Sequence, residues 1–472
     1  MVAAMKYGLL IYFIFLLVVQ MNVGVADNGD FSDYMTWFVS KPAGFEVNAP
    51  PPHTPAWVRR FFWYYLPYWE ASPPRSPTFF SSAPLFWLPG VILNRVFYSD
   101  SIIYLPIVTF PFRLALVGLL WCLLNGVEKA LGTGWKGLLG MATLGLPTVL
   151  MLSDSHFIGY MNSFYREYPA FLALLGVLGA VQMVRARPTP LRLLGLTLAV
   201  ALLASARFSY VLWAFLVVPW VYPVWRRSRH RGWVALLYAA CISIAAWATW
   251  ASYPRELKGL YRYSSLLDGA LVFSRRPDVH LRRLGMESAV VCVGHVFPPF
   301  PDYARCWPVL WPRLKFASTL GVYLREPQAF LRAWRYAADR LRRWHIAYGI
   351  HSPDDPTVGR RRAILCLWSG LTRRLYPPGL GLLGLLGLYG WLFFIHRRSS
   401  DPWVASLSSL GLLVVTGAVT DVTVTLLGNG RTELSRTLFL ARVLLDTATI
   451  LALHVATTGG RLQDLLARLR PR

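Results

Sequence analysis

The sequence predicts an all-α polytopic membrane protein, a bundle of about ten transmembrane helices with external interfacial helices and one large external loop domain. Three observations predict it. Hydrophobic residues make up 55% of the 472 positions and charged residues only 15%, with a mean hydropathy of +0.42. Apolar runs recur near the ~20-residue length that spans a bilayer. The basic residues of the short loops between those runs fall on one side.

The first run, Tyr7 to Val25, follows a short basic start and ends at Gly24-Val25-Ala26. It reads as an uncleaved helix or as a signal peptide, and Asp27 lies beyond the membrane in both readings. A loop rich in aromatics around Arg59 and Arg60 then suits the headgroup layer. Leu85 to Phe97 is interrupted by Pro89, Gly90, Asn94 and Arg95, and reads as re-entrant or interfacial. Spans follow at about 106–126, 138–152, 168–184, 191–204, 208–224 and 234–250. Three more lie near 379–395, 404–419 and 434–456. The chain therefore divides into a transmembrane module at 1–251 with a first external loop at 25–104, an external basic domain at 252–376, and C-terminal helices at 377–472.

Lys129 and Lys136, Arg185, Arg187 and Arg192, the four arginines from Arg226 to Arg231, Arg397 and Arg398, and the C-terminal arginines share one side. The positive-inside rule makes that side cytoplasmic, with both termini inside and the protein in the plasma (inner) membrane. The opposite, external face receives Asp27 and Asp30, residues 154–167, the Arg207 turn, the long loop and residues 421–433. Within that loop, 325–343 has the spacing of an amphipathic helix.

The net charge of +25 points to membrane lipids and phosphate-bearing substrates rather than nucleic acid, because the chain is buried in lipid. Five cysteines exclude a disulfide-rich scaffold, and no CxxC or zinc spacing occurs. Cys292 and Cys306 share the external loop and can pair in an oxidising compartment. The Gly-rich phosphate loop, Gly-x-Ser-x-Gly and paired-His patterns are absent. His156, His280, His345 and His351 read as isolated surface residues. No metal ligands are assigned and no cofactor is expected, with a divalent metal left open.

Asp27 and Asp30 follow a helix C-terminus, where the negative dipole end disfavours carboxylates, so helix stability does not account for them. Asp33 and Asp154 read as helix caps. Glu167, preceded by Tyr165 and Arg166, opens a span and suits either a cap or a substrate contact. Arg207 lies in a turn between two spans, and a guanidinium held there faces a cavity, a bound anion or lipid headgroups. Arg431, Glu433 and Arg436 open the last span as candidates at the mouth of a site. Arg442 and Asp446, four apart inside that span, read as a structural ion pair.

Four stretches carry a family likeness. They are Ala26-Asp27-Asn28-Gly29-Asp30-Phe31, Asn162-Ser163-Phe164-Tyr165-Arg166-Glu167, Ser205-Ala206-Arg207, and the run from Gly430 to Leu440. With them the chain resembles GT-C fold glycosyltransferases that use polyprenyl-phosphate sugars, and among those the bacterial glycan-biosynthesis hexosyltransferases of the WsfD kind. Arg207 stands where the family usually has Lys, and Arg436-Thr437 where it more often has a basic residue and His.

The resemblance implies an inverting hexosyltransferase with a polyprenyl-phosphate-linked donor and a glycan or glycolipid acceptor. It also implies that an Asp after the first helix acts as general base, either Asp27 or Asp30. Tyr165, Arg166, Glu167, Arg207, Arg431, Glu433 and Arg436 are the expected substrate contacts. A transporter or flippase, or a ligase, for lipid-linked glycans is the alternative class. The charges collect at one boundary and no internal repeat is visible, which favours the enzyme over a transporter.

Overall fold

A computed structural model describes residues 1–21, 23–24, 35, 37–42, 68–73, 79–226, 231–295, 310–343, 366–376, 382–431 and 434–458. Eight helices among them are long and apolar enough to cross a membrane: α1 Val2–Val19, α3 Leu105–Leu131, α4 Trp135–Leu152, α6 Glu167–Ala186, α8 Phe208–Trp225, α9 Arg231–Ser252, α16 Pro402–Asn429 and α17 Phe439–Thr458. Two more predicted spans are helical but shorter, α7 Pro190–Ala206 and α15 Leu382–Arg398. The all-α polytopic fold read from the sequence is therefore the observed one. The predicted interfacial segment is α2, Ala83–Phe97. Its 15 residues span roughly 22 Å, short of the ~30 Å hydrocarbon core.

Local chemistry sets the helix ends. Thr189 accepts a hydrogen bond from the Arg192 amide and Pro190 occupies the first turn of α7. Asp401 accepts from the amides of Trp403 and Val404 at the start of α16. That helix runs 28 residues, about 42 Å, so its far end projects past a bilayer core. It stops at Gly430, whose φ of 60° lies in the left-handed region that favours glycine. A Cβ on Gly430 would overlap the Ser264 carbonyl oxygen and crowd Gly269. This close crossing delivers Arg431 onto Asp268.

At the loop-bearing end of the bundle sit α5 Ser155–Met161, α10 Arg255–Ser265, α11 Pro277–Arg283, α12 Phe316–Arg325, α13 Pro327–Arg342 and α14 Leu367–Leu375. The amphipathic helix expected over 325–343 is observed as α13, and a separate helix, α12, precedes it and ends at Arg325. Proline cannot continue the preceding helix, and Glu326 caps the next one. Glu326 accepts hydrogen bonds from Ser274 Oγ at 2.6 Å, the Arg275 amide at 3.0 Å and Arg332, and lies 3.4 Å from His280 Nε2. Burial works against its charge, but these donors outweigh burial and hold its carboxyl down at about 2.

This middle segment packs onto α16 and is tied to α17. Arg442 and Asp446 form the expected pair at 2.9 Å. Arg442 also donates to the Leu341 carbonyl at 2.6 Å and to Thr372, while Tyr376 donates to Asp446 at 2.7 Å. The pair therefore anchors α13 and α14 as well as stiffening its own helix. Cys292 is disulfide-bonded, and its expected partner, Cys306, lies outside the described residues.

Three short antiparallel strands, β1 Val39–Pro42, β2 Tyr68–Ala71 and β3 Ile102–Tyr104, form a small sheet in the order β1-β2-β3 that the sequence reading did not anticipate. Its anchor is Trp69, buried edge-on against Phe164 at 5.4 Å. Runs of three or four residues are too short for periodicity to reveal.

Candidate functional site

Residues expected at a site converge from three distant segments. Arg166 caps α6 and Glu167 opens it; Arg207 is an extended residue between α7 and α8; Arg436 precedes α17. Glu167 is 2% exposed, Arg166 7% and Arg207 8%. Glu167 Oε1 lies 3.4 Å from Arg436 Nε and 3.7 Å from Arg207 Nη1. Among the described residues its Oε2 has no hydrogen-bond partner.

The arginines are also held by aromatics. Arg436 sits 5.3 Å from the Tyr165 ring centroid. Arg166 lies 5.1 Å from that of Phe79 and donates to the Tyr253 hydroxyl. Burial pushes that hydroxyl up to about 12, so it stays neutral and can accept. Burial and the repulsion of Arg166 work against the Arg207 charge, but attraction to Tyr210 and Glu167 leaves its pKa above the ordinary value. Arg207 is a fixed cation.

Arg207 also lines a groove of about 440 Å³ beside the cluster. Its walls are Trp250, Leu212, Leu320, Val424 and Leu427, and its second cation is Lys258. The Lys258 ammonium lies 4.8 Å from the Trp250 ring. An apolar slot with two cations has the chemistry to suit an amphiphilic anion. Arg207 lines this groove.

Arg431 is placed elsewhere. It donates to Asp268 Oδ1 through Nε and Nη2, at 3.1 and 2.6 Å, and to the Gly294 carbonyl. It clamps the middle segment and does not line the groove. Asp27, Asp30, Asp33 and Glu433 lie outside the described residues, as do His345 and His351.

The chain leading to the Asp pair is nonetheless fixed at its root. Asn162 Nδ2 donates to the carbonyls of Gln20 and Val23 at 2.9 and 2.6 Å. Its Oδ1 accepts from Arg113 Nη2 at 2.5 Å. Gln20 in turn donates to the Ser153 carbonyl at 2.7 Å and accepts from Ser155 Oγ at 2.7 Å. These buried amides satisfy backbone carbonyls just past the end of α1, that of Gln20 together with the Val23 amide. Asn162 lies in a stretch already singled out, but Gln20 and Arg113 were missed.

The histidine reading is corrected for two positions. His156 and His280 are buried, at 0% and 6% exposure, one beside Asp154 and the other beside Glu326. Carboxylate partners offset the cost of burying an imidazole. Asp154 does cap a helix, accepting from the His156 amide at the start of α5.

These elements define a polytopic all-α membrane protein with a buried cationic cluster opening on an apolar groove. The chain belongs to the YfdI N-terminal transmembrane domain family, whose model matches residues 2–464. No curated protein and no solved structure matches the chain. Membership in this family is compatible with a membrane glycosyltransferase.

Proposed function

We propose that the protein is a GT-C type glycosyltransferase, similar to the bacterial hexosyltransferases of the WsfD kind. It transfers a hexose from a polyprenyl-phosphate-linked donor to a glycan or glycolipid acceptor on the external face. The observation that carries this reading is the groove. Its apolar walls suit a prenyl chain, Arg207 and Lys258 at its side suit a phosphate, and Glu167 holds Arg207 and Arg436 together behind it.

In this account the acceptor hydroxyl loses its proton to Asp27 or Asp30 as its oxygen attacks the anomeric carbon. The bond from that carbon to the phosphate oxygen breaks with inversion, and the polyprenyl phosphate departs with the electron pair. Arg207 and Lys258 stabilise the charge that develops on it. Asp27 is four residues past Val23 in the sequence, and Asn162 holds the Val23 carbonyl.

The test is transfer in cells lacking their own copy and complemented with variants. Loss of a general base lowers the rate on the order of 10²–10⁴-fold. We expect Asp27→Asn or Asp30→Asn to abolish product at wild-type protein levels. Full product from both variants would refute the catalytic assignment.

A further inference from the structure

Away from the groove, Asp154, His156 and Cys366 bring a carboxylate oxygen, an imidazole nitrogen and a sulfur within 4.8 Å of one another. All three are buried. Asp154 and His156 frame the first turn of α5, whereas Cys366 caps α14 from the far end of the middle segment. The proposed transfer uses none of them.

We propose that these three side chains bind a zinc-type divalent cation that clamps α14 to α5. The donor set carries the choice of ion. Magnesium and calcium take oxygen ligands, whereas oxygen, nitrogen and thiolate together suit zinc and its neighbours. Zinc bonds of about 2.0–2.3 Å set ligand atoms roughly 3–4 Å apart, which small side-chain rotations in this cluster reach.

The carboxylate is already oriented for the task. Asp154 Oδ1 accepts from the His156 amide at 3.0 Å and lies 2.9 Å from His156 Nδ1. Its Oδ2 accepts from the Ser369 amide at 2.8 Å. Such outer hydrogen bonds fix the direction of a ligating oxygen. On binding, the Cys366 thiol releases its proton to solvent and the thiolate takes up the ion, with no change of oxidation state. The clamp sits against the root of the first loop, because Ser155, next to Asp154, donates to Gln20.

A metal-free hydrogen-bonded triad is the competing arrangement, and sulfur ligation separates the two. The full chain, purified in detergent through a histidine-free tag and without chelator, is expected to carry about one zinc per chain by elemental analysis. Cys366→Ser and His156→Ala should lower that at least ~10-fold. Replacement by Co²⁺ should give a near-ultraviolet thiolate charge-transfer band that Cys366→Ser abolishes. Cys366→His should keep the metal without the band, which also shows that the site still folds. Added Zn²⁺ should raise the Tm of stripped wild type and leave His156→Ala unchanged. No metal uptake by the wild type, equal zinc in wild type and Cys366→Ser, or a Co²⁺ spectrum without the thiolate band would each overturn the proposal.

Discussion

Arg207 Nη1 and Glu167 Oε1 lie 3.7 Å apart in the protein interior, and Arg436 Nε approaches the same oxygen to 3.4 Å. One carboxylate thus holds two guanidiniums that the chain delivers from opposite halves. Removing one partner from a buried ionic contact costs about 3–5 kcal/mol, because the remaining charges stay desolvated. Glu167→Gln should therefore lower the Tm of the detergent-solubilised protein and also impair transfer. The double variant with Arg207→Gln should recover part of the lost stability, a coupling that a thermal-shift cycle measures. Strict additivity of the two would contradict the pairing.

Asn162 should matter through the end of α1. Asn162→Ala leaves the Val23 carbonyl and a donor of Arg113 without this partner and takes one of two donors from the Gln20 carbonyl, at about 1–3 kcal/mol for each group left unsatisfied. Amide exchange around residues 21–24 should accelerate by about tenfold or more, since 1.4 kcal/mol is one factor of ten. Unchanged protection there would show that the clamp does not hold the loop root.

Glu326 predicts an acid response of the middle segment. Its carboxyl is held at about 2 in the folded protein, below its ordinary value of 4.5. A depressed value means stability that is present above the ordinary value and lost as pH falls through the folded one. The wild type should lose stability between about pH 4.5 and 2, read by fluorescence of buried Trp334. Glu326→Gln should be less stable at neutral pH and flatter across that window. An identical pH profile in both proteins would remove Glu326 from its organising role.

Much of the bundle was legible because long apolar runs betray spans whatever they pack against. Arg207 was legible for the converse reason: a guanidinium beside membrane depth demands an explanation. Its partner was not, since nothing local in the sequence ties Glu167 to Arg207 and Arg436. Asn162 and Gln20 carry no charge, and their role exists only once α1, α3 and α5 meet. Arg431 is expected at the mouth from its place at the start of the last span and from the resemblance, whereas the close crossing of Gly430 and Gly269 delivers it to Asp268. The helical periodicity across 325–343 matches α13, and Pro327 marks its start. His156 shows the opposite limit, because an isolated histidine in sequence reveals neither its burial nor Cys366 beside it.

The claim that Arg207 and the groove receive a lipid-borne phosphate is tested most directly by equilibrium binding. Polyprenyl phosphate would be titrated against purified wild type and Arg207→Ala in the same detergent. A charge-assisted hydrogen bond contributes about 1.5–3 kcal/mol, so the variant should bind roughly 10- to 150-fold more weakly. Equal affinity for the two proteins would contradict the account.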